Sequence, residues 1–178
     1  MIDQQKFAHD IAIILMKNKV VSGQEAENLQ KMFSESSHDW FVEFLLEEGL
    51  VNKEEILKAL SSYYQVPSFD VEGYFFDHLL VRDFPKGFLL RHNIIPVEID
   101  QNILMIVASD PSNEDLLTAL RQYTSEDIQF YVGIARDIED AVKEYYDKSL
   151  TDDYTLVESE KSADEERKEI EEIEESEG

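Results

Sequence analysis

The sequence predicts an α+β fold: an N-terminal helical half built from two helix-pair repeats, followed by a small mixed β-sheet with helices packed against it. Three observations carry this. Residues 15–26 align with residues 45–56 at a spacing of 30. Ile103 to Ala108 is an unbroken run of six apolar residues, the length and composition of a strand buried on both faces. On either side of it apolar residues alternate with others, at Ile95, Val97 and Ile99 and again at Ile128, Phe130 and Val132, as in half-buried strands.

The helical half is expected over residues 1–66. Gln4 to Lys17 reads as a helix with Phe7, Ile11, Ile14 and Leu15 on one stripe. Ser22 with Glu25 has the spacing of a capping box and opens a helix carrying Ala26, Leu29 and Phe33. After a polar break at 34–37, Trp40, Phe41, Phe44 and Leu45 mark a third helix, ended by Gly49. Asn52 and Glu55 repeat the capping spacing before a fourth helix with Ile56, Leu60, Tyr63 and Tyr64. The repeat aligns Leu15, Val21, Ser22 and Glu25 with Leu45, Val51, Asn52 and Glu55. Neither short pair can hide its apolar face alone, so the two should pack on one another.

The α/β half is expected over residues 67–149. Pro67 ends the fourth helix, Ser68 to Val71 has room for a short strand, and 73–80 is ambiguous, with three aromatics together at Tyr74, Phe75 and Phe76. Pro85 to His92 reads as a short helix. Asp100-Gln101-Asn102 is turn chemistry, so the first two strands should pair antiparallel. Pro96 has no backbone donor, which places its strand at an edge. A helix opened at Asp110 or Ser112, with Leu116, Leu117, Leu120 and Tyr123 on its apolar face, leads to the third strand, which should therefore run parallel to the second. Ile138, Val142 and Tyr145 mark a closing helix. Residues 150–178 are expected to be an acidic, disordered tail or linker, dispensable for the fold: 151–178 holds 13 acids against 3 bases, with too few apolar groups to order itself.

Composition excludes several functions. With no Cys there is no disulfide framework, thiolate nucleophile or Cys-ligated zinc. A net charge of -24 is wrong for nucleic acid, which is bound by Lys and Arg against phosphates, and for an anionic membrane. No signal peptide or membrane span is evident, so the expected location is the cytoplasm. The six glycines are scattered and no Gly-Lys-Ser/Thr follows any of them, so there is no phosphate loop. His9, His38, His78 and His92 have no partner at ligand spacing, so no metal site is expected. Asp110-Pro111 is accounted for by helix capping. The reading is of a chain with no catalytic residues, no cofactor and no enzymatic activity of its own.

Two stretches carry a resemblance. One is Leu45-Leu46-Glu47-Glu48-Gly49-Leu50-Val51, leading to Ala59-Leu60 and Val66-Pro67. The other runs through Arg91-His92-Asn93-Ile94-Ile95-Pro96-Val97, Ile106-Val107-Ala108-Ser109-Asp110-Pro111, Leu120-Arg121-Gln122-Tyr123-Thr124 and Ile138-Glu139-Asp140-Ala141-Val142 with Tyr145. Together they resemble the N-terminal domain, MshEN, of type II secretion (general secretory pathway protein E) and type IV pilus assembly ATPases, over roughly residues 7–149. Where the family commonly has Gly after Thr124, this chain has Ser125. The resemblance implies a non-catalytic adapter that docks a motor to an inner-membrane platform protein, with the motor domain absent from this chain. The alternatives are a free-standing protein-interaction regulator and a cyclic di-GMP sensor of the same fold. Some members bind cyclic di-GMP on a repeated Arg-Leu-Gly motif. Here those positions read Asp10-Ile11-Ala12 and Trp40-Phe41-Val42, and Lys19 replaces a later Gly. Both arginines are gone and the chain is acidic, so cyclic di-GMP is expected to be an unlikely partner. The expected partner is a protein, met by exposed aromatics in an acidic rim. Trp40, Phe41 and Phe44 in the apolar third helix, and Tyr74 and Phe75, are the candidate contact residues.

Overall fold

The structure is a computed structural model and describes residues 2–147. The tail read at 150–178 lies outside the described residues. In chain order the elements are α1 (Gln4–Lys17), α2 (Gly23–Glu35), α3 (Phe41–Glu47), α4 (Lys53–Tyr64), α5 (His78–Arg82), α6 (Lys86–His92), β1 (Ile94–Asp100), β2 (Ile103–Ala108), α7 (Glu114–Leu120) and β3 (Asp127–Val132). A last helix, α8, covers residues 135–147 of those described.

Each copy of the repeat is one physical device used twice. Asp3 caps α1, and the Ser22 hydroxyl caps α2 in a full capping box with Glu25. Asn52 caps α4 through the Glu55 N–H. The turns between paired helices are matched bond for bond. Lys19 and Gly49 both sit in the left-handed region, at φ 60° and 62°. Val20 N–H reaches Leu15 carbonyl and Lys19 N–H reaches Met16 carbonyl; Leu50 to Leu45 and Gly49 to Leu46 repeat the pattern. These are two Schellman turns, which satisfy the last carbonyls of α1 and α3. Gly takes that conformation freely, whereas Lys19 adopts it at a cost of about 1 kcal/mol. The pairs pack together: Phe7, Ile11, Leu15, Leu29, Phe33, Phe41, Phe44, Leu45, Ile56 and Leu60 form one buried cluster.

The third helix departs from the reading of it. Trp40 is not in α3 but precedes it, with extended backbone, and its side chain makes no cap. The Phe41 N–H is instead satisfied by the Gln4 side chain of α1, at 3.0 Å. Phe41 and Phe44 are buried against Phe33, with ring centroids 5.3 and 5.6 Å away, so the apolar third helix has these two rings inside.

The sheet has the order β1-β2-β3, with β1 and β2 antiparallel and β2 and β3 parallel. Gln101 and Asn102 both have positive φ, which makes the β1–β2 connection a tight two-residue hairpin turn. Pro96 lies on an edge strand, as its missing donor requires. The alternation read in β1 does not persist, because a bulge between Pro96 and Glu98 shifts the register. Ile94, Ile95, Pro96 and Val97 are all buried, and Ile99 is exposed. The helix after β2 is capped by Asn113; Asp110 instead folds its carboxylate onto the Ser112 N–H and hydroxyl in a preceding turn. The strand read at 68–71 reduces to one bridge, Ser68 to Val132, fixed by Phe69 N–H to Val132 carbonyl and Val132 N–H to Pro67 carbonyl, both 2.9 Å.

A second buried cluster lies between the sheet, α5, α6, α7 and α8, around Val81, Phe84, Leu89, Ile95, Ile106, Leu120 and Val142. The two clusters meet at the end of β3, where Val132 and Ile134 join the helical cluster. Among the described residues no helix is long and apolar enough to cross a membrane.

Candidate functional site

The segment that opens the α/β half, before α5, displays an aromatic side chain in a fixed setting. Phe76 turns inward and is buried. Its ring lies 4.7 Å from Tyr74 and 5.3 Å from Tyr145 of α8, and Tyr74 packs edge-on to Phe69 at 5.0 Å. The Tyr145 hydroxyl accepts from the Phe76 N–H and donates to the Tyr74 carbonyl. Asp77 then caps α5, accepting from Leu79 and Leu80 N–H. Phe76 before that cap and Val81 after it are both buried, the arrangement of a hydrophobic staple. The backbone on both sides of Phe75 is therefore tied down, yet Phe75 itself is 91% exposed and Leu79 77%. Four acids and one base lie between residues 70 and 84.

Of the five candidate contact residues, three reach the surface. Trp40 is 54% exposed in the helical half, and Tyr74 and Phe75 are exposed in the segment just described. Phe41 and Phe44 are core residues and offer no surface in this structure, because their rings fill the space between α1, α2 and α3. Leu79 was missed by the sequence reading: its neighbours Leu80 and Val81 are buried, and nothing in the local pattern separates the exposed apolar residue from the two inward ones.

The histidines are dispersed, each with its own neighbours. His38 stands between Glu47 (3.4 Å) and Glu48 (3.5 Å), His9 meets Gln30, His78 lies on Tyr145 and His92 on Phe88. Burial, with the charge of Arg91, lowers the His92 pKa. Tyr64 at the end of α4 has its phenol pKa raised by burial, then by the charge of Asp110 and by Tyr63.

Carboxylates do converge at one place. Asp70, Glu72 and Asp137 bring oxygens within 4.8 Å of one another. The Lys53 ammonium sits among them, 3.0 Å from Asp137, 3.8 Å from Asp70 and hydrogen-bonded to Glu72. Burial alone would lower the Lys53 pKa, but Glu72, Asp137 and Asp70 together raise it above its ordinary value. The same hydrogen bond and charge hold Glu72 below the usual carboxylate range. The place that a cation would take among the three acids is thus held by a lysine ammonium. Residues as far apart as 53 and 137 carry no spacing signal for this.

A family model described as the MshEN domain matches residues 64–152. A solved structure of MshE with cyclic di-GMP is 19% identical to this chain and superposes with a TM-score of 0.59, over 76% of this chain and 98% of that one. A structure of the N-terminal domain of XpsE is 18% identical, with a TM-score of 0.51, over 80% of this chain and 96% of that one. At these identities the likeness is one of fold. No curated protein matches the sequence. The expectation that cyclic di-GMP is an unlikely partner does not stand. It rested on two lost arginines and on overall charge, whereas the fold here is one that in MshE is seen with cyclic di-GMP.

Proposed function

The chain belongs to the MshEN domain family, and from that premise we propose that it is a non-catalytic adapter of a secretion or pilus assembly ATPase, docking on the cytoplasmic part of an inner-membrane platform protein. The observation that supports this most is the display of Phe75: an aromatic ring left in water while the backbone around it is held by Tyr145, Phe76 and the Asp77 cap. Pre-ordering a contact residue lowers the entropy lost on binding, and large aromatic groups dominate interface energies. Trp40 and Tyr74 are the further contacts in this reading. The acidic setting suits a partner face rich in Lys and Arg, with association that weakens as salt rises.

The test is capture of the purified cytoplasmic segment of the platform protein encoded in the same genome, measured by calorimetry for the parent, Phe75→Ser and Trp40→Ser. Both side chains are largely solvent-exposed, so stability should stay within about 1 kcal/mol of the parent. Affinity is expected to fall at least tenfold for Phe75→Ser, about 1.4 kcal/mol. Parent-like affinity in both variants removes these residues from the docking surface.

A second reading, binding of cyclic di-GMP by the helical half, is favoured by the fold match to MshE with cyclic di-GMP. A calorimetric titration that saturates with Kd below about 10 µM, near −7 kcal/mol, establishes it; absence of heat at that level leaves the adapter reading alone.

A further inference from the structure

We propose that Lys53 is an electrostatic pin that fixes the orientation of the helical half on the sheet half. Lys53 is the first residue of α4. Its ammonium leaves that half altogether, reaching Asp70 and Glu72 in the segment after the bridge and Asp137 in the first turn of α8. Asp137 Oδ2 is buried, and the Lys53 ammonium 3.0 Å away is its partner and counter-charge. The next residue back, Arg136, crosses the same junction to Glu47 of α3 at 3.3 Å.

The repeat shows that this is an added feature of one copy. Position 53 corresponds to position 23, where the first copy has Gly at the matching start of α2. The two copies share caps and turns, but only the second carries a cation at this place. That is the copy whose helix packs on β3.

Beside the Lys53 and Arg136 ion pairs the junction has an apolar part, made where Val132 and Ile134 enter the helical cluster. Apolar burial is non-directional: it holds two bodies together without selecting one rotation between them. One ammonium gripped by three carboxylates from two separate segments does select a rotation. Remove the ammonium and Asp137, the sheltered member of the three, loses its counter-charge while Asp70 and Glu72, both exposed, remain as like charges beside it, all within 4.8 Å of one another. The halves should then stay associated through the apolar contact but lose their fixed angle. A partner held on one half is carried in register with the other only while Lys53 is engaged.

The chain has no Cys, so spin labels can be placed at will. Exposed Lys31 of α2 and Thr118 of α7 are each changed to Cys, and the label-to-label distance distribution is read by pulsed electron resonance on the full chain. The parent should give one narrow peak. Lys53→Met should at least double its width, and Lys53→Arg should keep it narrow. Lys58→Met, whose partners Glu54 and Glu55 lie within α4 itself, is the control and should leave it unchanged. If Lys53→Met does not fold, Asp137→Asn, which takes the counter-charge from the α8 end of the contact, should broaden the same peak. An unchanged width in whichever of these variants is folded overturns the pin, as does equal broadening by Lys58→Met.

Discussion

Phe41→Ala is expected to lower the stability of the fold by about 3–5 kcal/mol, the range for removing a fully buried phenylalanine. Phe41 has no exposed surface. Its ring packs on Phe33 at 5.3 Å and on Phe44 at 6.0 Å, and its N–H is fixed to α1 by Gln4. A cavity there lies between α1, α2 and α3, which are held by short caps and turns and cannot collapse without breaking them. Urea unfolding of parent and variant measures the difference. Native stability of a domain this size is about 5–15 kcal/mol, so a loss of this size consumes much of it. A change under about 1 kcal/mol sinks the assignment of Phe41 to the core. The contrast with its neighbour is sharp: Trp40, one residue earlier, is 54% exposed, and its loss should be felt in binding before stability.

That one-residue difference shows where the sequence was legible and where it was not. The repeat could be read because it is local: Leu15 and Leu45 lie the same distance from Lys19 and Gly49, and the structure repeats the same hydrogen bonds at both. The strand order followed from Pro96, the short turn and the six-residue apolar run, each also a local signal. Trp40 was read as part of the third helix because Trp40, Phe41 and Val42 are apolar in a row and carry no internal marker of where the helix begins. That start is set by Gln4, 37 residues upstream, which no periodicity reveals. The bulge in β1 is invisible for a similar reason, since Val97 and Ile99 alternate correctly in sequence and only the pairing with β2 shifts them. Phe41 and Phe44 as contact residues failed with the helix; Phe75 needed the Tyr145 clamp, 70 residues away, to distinguish display from packing. The Lys53 cluster joins residues from three places in the chain. Long-range polar convergence is the part of a site that a single sequence hides.

Gly133→Ala carries the second large expected effect. Gly133 follows β3 and precedes α8, and its N–H is bonded to the Ala108 carbonyl at 3.1 Å. Its φ is not in the left-handed region, so backbone freedom is not why a glycine stands here. Space is the reason. A Cβ at this place would lie 2.6 Å from Val107 Cγ1, 3.3 Å from the Phe69 carbonyl oxygen and 3.4 Å from Ile138 Cδ1. None of these can easily give way. Val107 is fully buried in the central strand, Ile138 is buried on α8, and the Phe69 backbone is held by its bond to Val132. The added methyl must push α8, the bridge segment or β2 out of place, and overpacking of this kind costs about 1–3 kcal/mol. For a chain of this length that is a fall in Tm of roughly 4–8 °C at the middle of the range. Gly87→Ala is the control, because nothing lies within 4 Å of its Cβ position and it sits in α6, where Ala is favoured over Gly. Thermal unfolding of both variants beside the parent decides the matter. If Gly133→Ala melts with the parent while Gly87→Ala behaves as stated, α8 is not seated as closely on β2 as these distances require.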